Sequence, residues 1–261
     1  MRLAMVDVLA GFLVGLVVGL TGVGGGALMT PILVLLFGVA PATAVGTDLW
    51  FAAITKIVGG AIHGQRGGVD WQVARRLWSG SLPAALGTLA WLHAAGARGP
   101  VDATITYVLG AVLLATAAAM AFKSRLHAWG SRLRVREPGR FLRWQPAATV
   151  AAGALLGFLV TLTSIGAGAL GAVMLLYLYP LRMVPARLVG TDIVHAVPLT
   201  LVAGAGHLAM GNVNLTLLGM LLLGSVPGVA LGSMASGKVS EALLRNAIAL
   251  VIALVGLKLV V

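Results

Sequence analysis

The chain has no cysteine, which excludes disulfides, thiolate metal sites and any persulfide or thiol relay. Charge is almost as scarce: Asp, Glu, Lys and Arg make up 10% of the 261 residues, against about 25% in a soluble domain. The five histidines are scattered, so no transition-metal centre and no cofactor is expected. No Ser–His–Asp set falls at one depth either, and the chain does not read as an enzyme.

What fills the sequence instead is hydrocarbon. Hydrophobic residues account for 59% of the chain and the mean hydropathy is +1.02. Apolar stretches cover 42–62, 73–93, 102–122, 188–208 and 214–235, each near the roughly 20 residues a helix needs to cross a bilayer. The expectation is an all-α, polytopic integral membrane protein. The first stretch, 3–20, resembles a signal peptide in isolation, but it recurs later in the chain and so reads as part of the mature fold.

The net charge of +11 is concentrated rather than spread. Lys123, Arg125, Arg132, Arg134, Arg136, Arg140 and Arg143 share one segment, the pattern of a cytoplasmic anchor that meets anionic lipid headgroups. No nucleic-acid recognition module accompanies it, so nucleic acid is not an expected partner. Membrane lipid is, and a homodimer is the oligomer allowed for.

Self-comparison reveals a duplication. GFLVGLVVGLTGVGGGAL at 11–28 aligns without gaps to GALLGFLVTLTSIGAGAL at 153–170. Val45-Gly46-Thr47-Asp48 matches Val189-Gly190-Thr191-Asp192, and Gly60-Ala61-Ile62-His63 matches Gly204-Ala205-Gly206-His207. The blocks beginning at Gly67 and Gly80 match those at Gly211 and Gly224 in the same order. The halves are 1–122 and 146–261, joined by a basic cytoplasmic loop, 123–145.

Each half opens with a segment too long for one crossing and too short for two. Residues 5–37 would span about 50 Å as helix but are interrupted at Thr21–Gly26, where glycines favour irregular backbone. The segment is either one broken span, giving parallel repeats, or a re-entrant hairpin, giving inverted ones. Distributing basic residues by the positive-inside rule puts 14 inside and 3 outside for the hairpin, but 12 and 5 for the single span. The better expectation is therefore inverted repeats, each a broken or re-entrant hairpin plus three transmembrane helices. Asp70, Asn214 and Asp102 stand at span starts, where they would cap helices.

The glycine-rich breaks are the leading candidate substrate site: Thr21, Gly22, Val23, Gly24, Gly25 and Gly26 in one half, Thr163, Ser164, Ile165, Gly166 and Gly168 in the other. Irregular backbone survives in a bilayer where protein covers it or it lines an aqueous cavity. The short helix after each break would offer unpaired N–H groups and a positive end to an anion. Close helix packing by small residues is the competing reading. Asp48 and Asp192, each within an apolar span, are candidates for proton coupling or for helix-start clamps. Lys56 is either a counter-charge for an anionic cargo or the partner of a carboxylate such as Asp192; its counterpart is Thr200. His195 follows Asp192 by three residues and could relay protons or simply pack. His63 and His207 read as structural. Pro83 and Pro227 fall mid-span after Gly-Ser, with Ser81 and Ser225 available to the freed backbone.

The pattern GLVVGLTGVGGGALMTPILVLLFGVAPATAVGTDLWFAAITKIVGG, echoed in the second half, resembles the TauE/SafE-type sulfite exporter family, also called the toluene sulfonate uptake permeases. The resemblance covers essentially the whole chain. It implies a multi-pass protein of the bacterial inner membrane that moves sulfite, sulfonates or related organosulfur anions, coupled to an ion gradient. It also implies that the two glycine-rich segments, with Thr47 and Thr191 of the Gly-Thr-Asp turns, surround a small anionic substrate. The expectation is a proton-coupled secondary transporter working by alternating access; the alternative is a passive anion channel of the same fold.

Overall fold

The structure, a computed structural model, describes residues 2–21, 26–63, 68–96, 102–136, 138–166, 168–235 and 241–260. Eleven helices and no strand occur among them. They are α1 (Arg2–Thr21), α2 (Gly26–Leu35), α3 (Pro41–His63), α4 (Trp71–Gly96), α5 (Asp102–Ala121), α6 (Lys123–Arg136), α7 (Pro138–Thr163), α8 (Ala169–Leu178), α9 (Pro185–Ala209), α10 (Leu215–Ala235) and α11 (Glu241–Val260). The five apolar stretches expected as spans coincide with α3, α4, α5, α9 and α10. Among the described residues, α7, α9 and α10 are each long and apolar enough to cross a membrane, and α5 with α6 adds a fourth if that bent pair is one span. Large apolar side chains such as Leu9, Leu86, Phe158, Leu223 and Leu254 face outward, as a surface solvated by lipid requires.

The basic segment is helical, not irregular. Its arginines, leucines and lysine are good helix formers, and α6 turns away from α5 by 67° before Pro138 opens α7. Gly130 lets α6 lie on the backbone of Tyr177 in α8; a methyl there would overlap the Tyr177 carbonyl.

The two halves pack by exchange of equivalent elements. Helix α1 lies against α10, and its repeat α7 lies against α4, the repeat of α10. Helix α3 meets its own repeat α9, and α5 meets its own repeat α11. The crossings depend on missing side chains: Gly80 faces the backbone of Val150 and Ala154, while Gly224 faces that of Val8 and Phe12. Gly153 and Gly157 sit on Leu77 and Ser81, as Gly11 and Gly15 sit on Leu221 and Ser225. Small residues permit such close backbone approach, the main source of helix cohesion where water is absent.

The same exchange appears in hydrogen bonds. Asp70 caps α4 through Val73 N (3.2 Å), and Asn214 caps α10 through Leu217 N (3.0 Å). The Asp70 backbone N–H donates to Thr191 Oγ1, and the Asn214 N–H donates to Thr47 Oγ1, both at 3.0 Å. The expected caps at Asp70 and Asn214 are thus present; Asp102 opens α5, but its side chain lies outside the described residues.

Helices α7 and α8 form a hairpin. Gln145 Nε2 donates to the Leu178 carbonyl, and Thr149 Oγ1 bonds the Tyr179 hydroxyl at 2.8 Å, so the start of α7 and the end of α8 lie side by side. The tip, 163–168, stands about 21 Å along α7 from Thr149. Asp70 pairs with Arg182 in the α8–α9 connection: Nη2 donates to Oδ1 at 2.8 Å and Nε lies 2.5 Å from Oδ2. Arg76 Nη1 reaches the Tyr179 hydroxyl at 3.2 Å. The α3–α4 and α8–α9 connections therefore occupy one end of the molecule.

Candidate functional site

The break between α7 and α8 has the irregular backbone its sequence suggests. Thr163 Oγ1 donates to the Leu159 carbonyl at 2.7 Å and accepts from Ile165 N at 3.1 Å, turning the chain back. Ser164 has φ 60°, and Gly166 and Gly168 have φ 123° and 143°. Glycine is at ease there; serine is not. Among the described residues Ser164 alone carries a side chain in that region, a local cost consistent with a site. Gly171 N and Ala172 N donate to the carbonyls of Gly166 and Gly168 at 3.0 and 2.8 Å, so the break itself satisfies two of α8's first-turn donors. Gly22, Val23, Gly24 and Gly25 lie outside the described residues, as do the side chains of Thr21 and His63; Thr21 ends α1 and Gly26 begins α2.

Asp48 and Asp192 occupy equivalent positions with different partners. Asp192 Oδ2 takes the Lys56 ammonium at 2.7 Å, joining α9 to α3 across the halves. The internal pair weighed for Lys56 is thus the one formed. Asp48 Oδ2 accepts from Thr30 Oγ1 at 2.5 Å and from Thr30 N at 3.2 Å. Its Oδ1 is buried and has no hydrogen-bond partner among the described residues. The hydroxyl of Ser164, from the other half's break, faces the same carboxylate, yet it too lacks a partner of good geometry among the described residues. Asp192 lies against α8 much as Asp48 lies against α2: a methyl on Gly171 would come within 3.1 Å of Asp192 Oδ1.

His195 bonds Ser81 Oγ at 3.0 Å, and its carbonyl accepts from Trp78 Nε1 at 3.2 Å, so α4 is tied to α9 beside the ion pair. Ser81 therefore serves His195 and not the backbone freed by Pro83, whereas Ser225 keeps a long local contact to Leu222 O at 3.5 Å. The hydroxyls of Thr47 and Thr191 hold the helix starts of the opposite half, which places these two residues in the frame. His207 Nε2 donates to the Thr161 carbonyl at 2.9 Å, in keeping with a structural reading.

Thr30 and Trp50 escaped the sequence reading, and Ser81 has a partner other than the one expected. Thr30 has no repeated counterpart, because the register of the first block places Ala172 opposite it. Ser81 belonged to a matched block, which was the available signal, but its partner is 114 residues away. Trp50 presses on Gly204, and its indole N–H is buried without a partner among the described residues.

The cluster is sealed: Asp48, Lys56, Ser164, Asp192 and His195 are 0%, 4%, 4%, 5% and 1% exposed. A cavity of about 560 Å³ lies elsewhere, lined by Ser131, Arg132, Val135 and Arg136 of α6. No group of three or more metal-ligating side chains converges among the described residues. Three buried ionisable side chains in one cluster of a membrane fold, two of them paired across the halves, are expensive to keep and make this the candidate site.

Comparison with known proteins agrees in extent. The family model described as Sulfite exporter TauE/SafE matches residues 8–259. The chain is 39% identical over 258 residues to "Probable membrane transporter protein YjnA" of Bacillus subtilis (strain 168), covering 97% of this chain and 98% of that one. It is 24% identical over 257 residues to "Probable membrane transporter protein YdhB" of the same organism, covering 98% and 99%. No solved structure matches it significantly. Over residues 8–259 and across nearly the full length of a 39% identical relative, the chain belongs to the TauE/SafE sulfite exporter family.

Proposed function

We propose that this protein is a secondary transporter of the bacterial inner membrane, carrying a small sulfur-containing anion, such as sulfite or a sulfonate, by proton-coupled alternating access. One observation carries the reading: the two reciprocally packed halves each contribute a carboxylate, and one contributes a lysine, to a sealed polar cluster beside the α7–α8 tip. Transporters built from repeats place cargo at such a repeat interface, facing half-helix N-termini. The breaks at Thr21–Gly26 and Thr163–Gly168 would supply backbone donors, with Ala169 N and Leu170 N the first-turn donors aimed at cargo in the second half. Lys56 would share its charge between Asp192 and the anion. Asp48, Asp192 and His195 are the groups from which the proton carrier would be drawn.

The pairing of Asp70 with Arg182 supports inverted repeats. A single broken span in each half would place those two residues on opposite faces of the bilayer, whereas re-entrant hairpins place both on the inside. The α7–α8 hairpin, whose two ends meet at Gln145 and Leu178, supports the same topology. A passive channel of this fold would need a continuous path, and the sealed cluster gives none.

The test is binding to the purified protein of sulfite, taurine, sulfoacetate and sulfate, measured by calorimetry. Saturable binding of at least one sulfur oxyanion is expected. Absence of binding by all four would reject the anion reading.

A further inference from the structure

The two halves neutralise their equivalent acids in different ways. Asp192 holds a permanent cation, Lys56, at 2.7 Å. The repeat relation maps Lys56 onto Thr200, the residue that would have to serve Asp48. Thr200 is buried and turns its hydroxyl to the carbonyls of Ala196 and Val197 at 2.9 and 3.1 Å, so among the described residues no fixed charge pairs with Asp48. The other titratable groups on the neighbouring elements lie elsewhere or are paired: Arg187 is exposed at the start of α9, and His63 ends α3 with its side chain outside the described residues. Lys56 and Asp192 hold each other, His195 is on Ser81, and His207 is on the Thr161 carbonyl. Helices α2 and α10 carry no titratable side chain; α1, α5 and α7 bring theirs near their starts, at Arg2, Asp7, Asp102, Tyr107, Arg140 and Arg143.

A carboxylate fully removed from solvent needs a compensating positive charge or a proton. Oδ2 of Asp48 is filled by two donors from Thr30, so Oδ1, buried and without a partner among the described residues, is the atom left to receive it. Asp48 is fully buried, so the occupant is the smallest cation.

Resting on the transporter reading, we infer that Asp48 alone carries the coupling proton, with Lys56 acting as a built-in replacement for that proton at Asp192. The O–H bond forms at Asp48 Oδ1 when the cluster opens to water, and the same bond breaks on release at the other face. With Asp48 ionised, the Asp48, Lys56 and Asp192 set carries one net negative charge and repels an anion. With Asp48 protonated, the set is neutral and the cargo can enter. Proton and anion binding then favour each other by linkage, and both move in the same direction.

Infrared difference spectra of the wild-type protein in membranes, recorded without cargo across a pH series, read this directly. The carbonyl stretch of a protonated carboxylic acid should shrink as pH rises. The band should be missing in Asp48→Asn and retained in Asp192→Asn. In proteoliposomes, Asp48→Asn should keep exchange of labelled sulfite across the membrane but lose accumulation driven by a pH gradient. Thr200→Lys, which gives Asp48 its own fixed cation, should behave the same way. A band that disappears in Asp192→Asn, or pH-driven accumulation that survives in Asp48→Asn, overturns the inference. If accumulation becomes dependent on sodium and the acid band is absent at every pH, the occupant is a sodium ion and the proton assignment is wrong. Failure of wild-type protein to exchange sulfite or any sulfonate would instead count against the cargo reading, since the infrared result does not depend on cargo.

Discussion

Lys56 and Asp192 are each more costly alone than together. A buried ion pair is close to neutral against an apolar replacement, but removing one partner strands the other charge at about 3–5 kcal/mol. Lys56→Ala should therefore lower unfolding free energy in detergent by about that amount, and Lys56→Ala with Asp192→Ala should recover most of it. Denaturant titration of the two single variants and the double variant checks this; additive losses would show that the pair is not coupled. Asp70 allows a finer dissection, because it is both cap and ion-pair partner while its repeat Asn214 is cap only. Asp70→Asn should cost about 1 kcal/mol, since Arg182 remains partly hydrated, and Asp70→Ala about 2 kcal/mol, because the cap is lost as well. Equal losses in the two variants would mean that the cap contributes nothing.

Between elements, cohesion rests on glycines that let backbones touch. A methyl on Gly157 would collide with the backbone of Ser81, whereas Gly219 has open space around it. Gly157→Val should lower stability by about 1–3 kcal/mol through overpacking, and Gly219→Ala should leave it unchanged or slightly raised. Thermal melts of both proteins in one detergent provide the comparison, and a tolerant Gly157 would contradict the close crossing. The sequence exposes this layer well, because a duplicated glycine leaves the same mark twice: the helices at the five apolar stretches, the two caps and the break between α7 and α8 were all legible. Partnerships across the duplication were not. Nothing local to Ser81 announces His195, and nothing near Thr30 announces Asp48, since hydrogen bonds between residues far apart in the chain follow from packing alone. The helical basic segment was missed for a related reason: polarity marks the end of a span but does not distinguish a surface helix from a loop.

At the scale of the molecule, equivalent elements exchange partners, yet the charges inside are unequal. On the proposed reading, reciprocal packing would support the two related conformations that alternating access requires, and the unequal compensation of Asp48 and Asp192 would make one member of the pair responsive to the medium. Counterflow in proteoliposomes tests this account most directly: vesicles loaded with unlabelled sulfite or sulfonate are diluted into a trace of the labelled anion. Transient accumulation of label above its equilibrium level, absent from protein-free vesicles, is the predicted result. Simple equilibration without overshoot would identify a channel, and no flux of any sulfur oxyanion would contradict the account altogether.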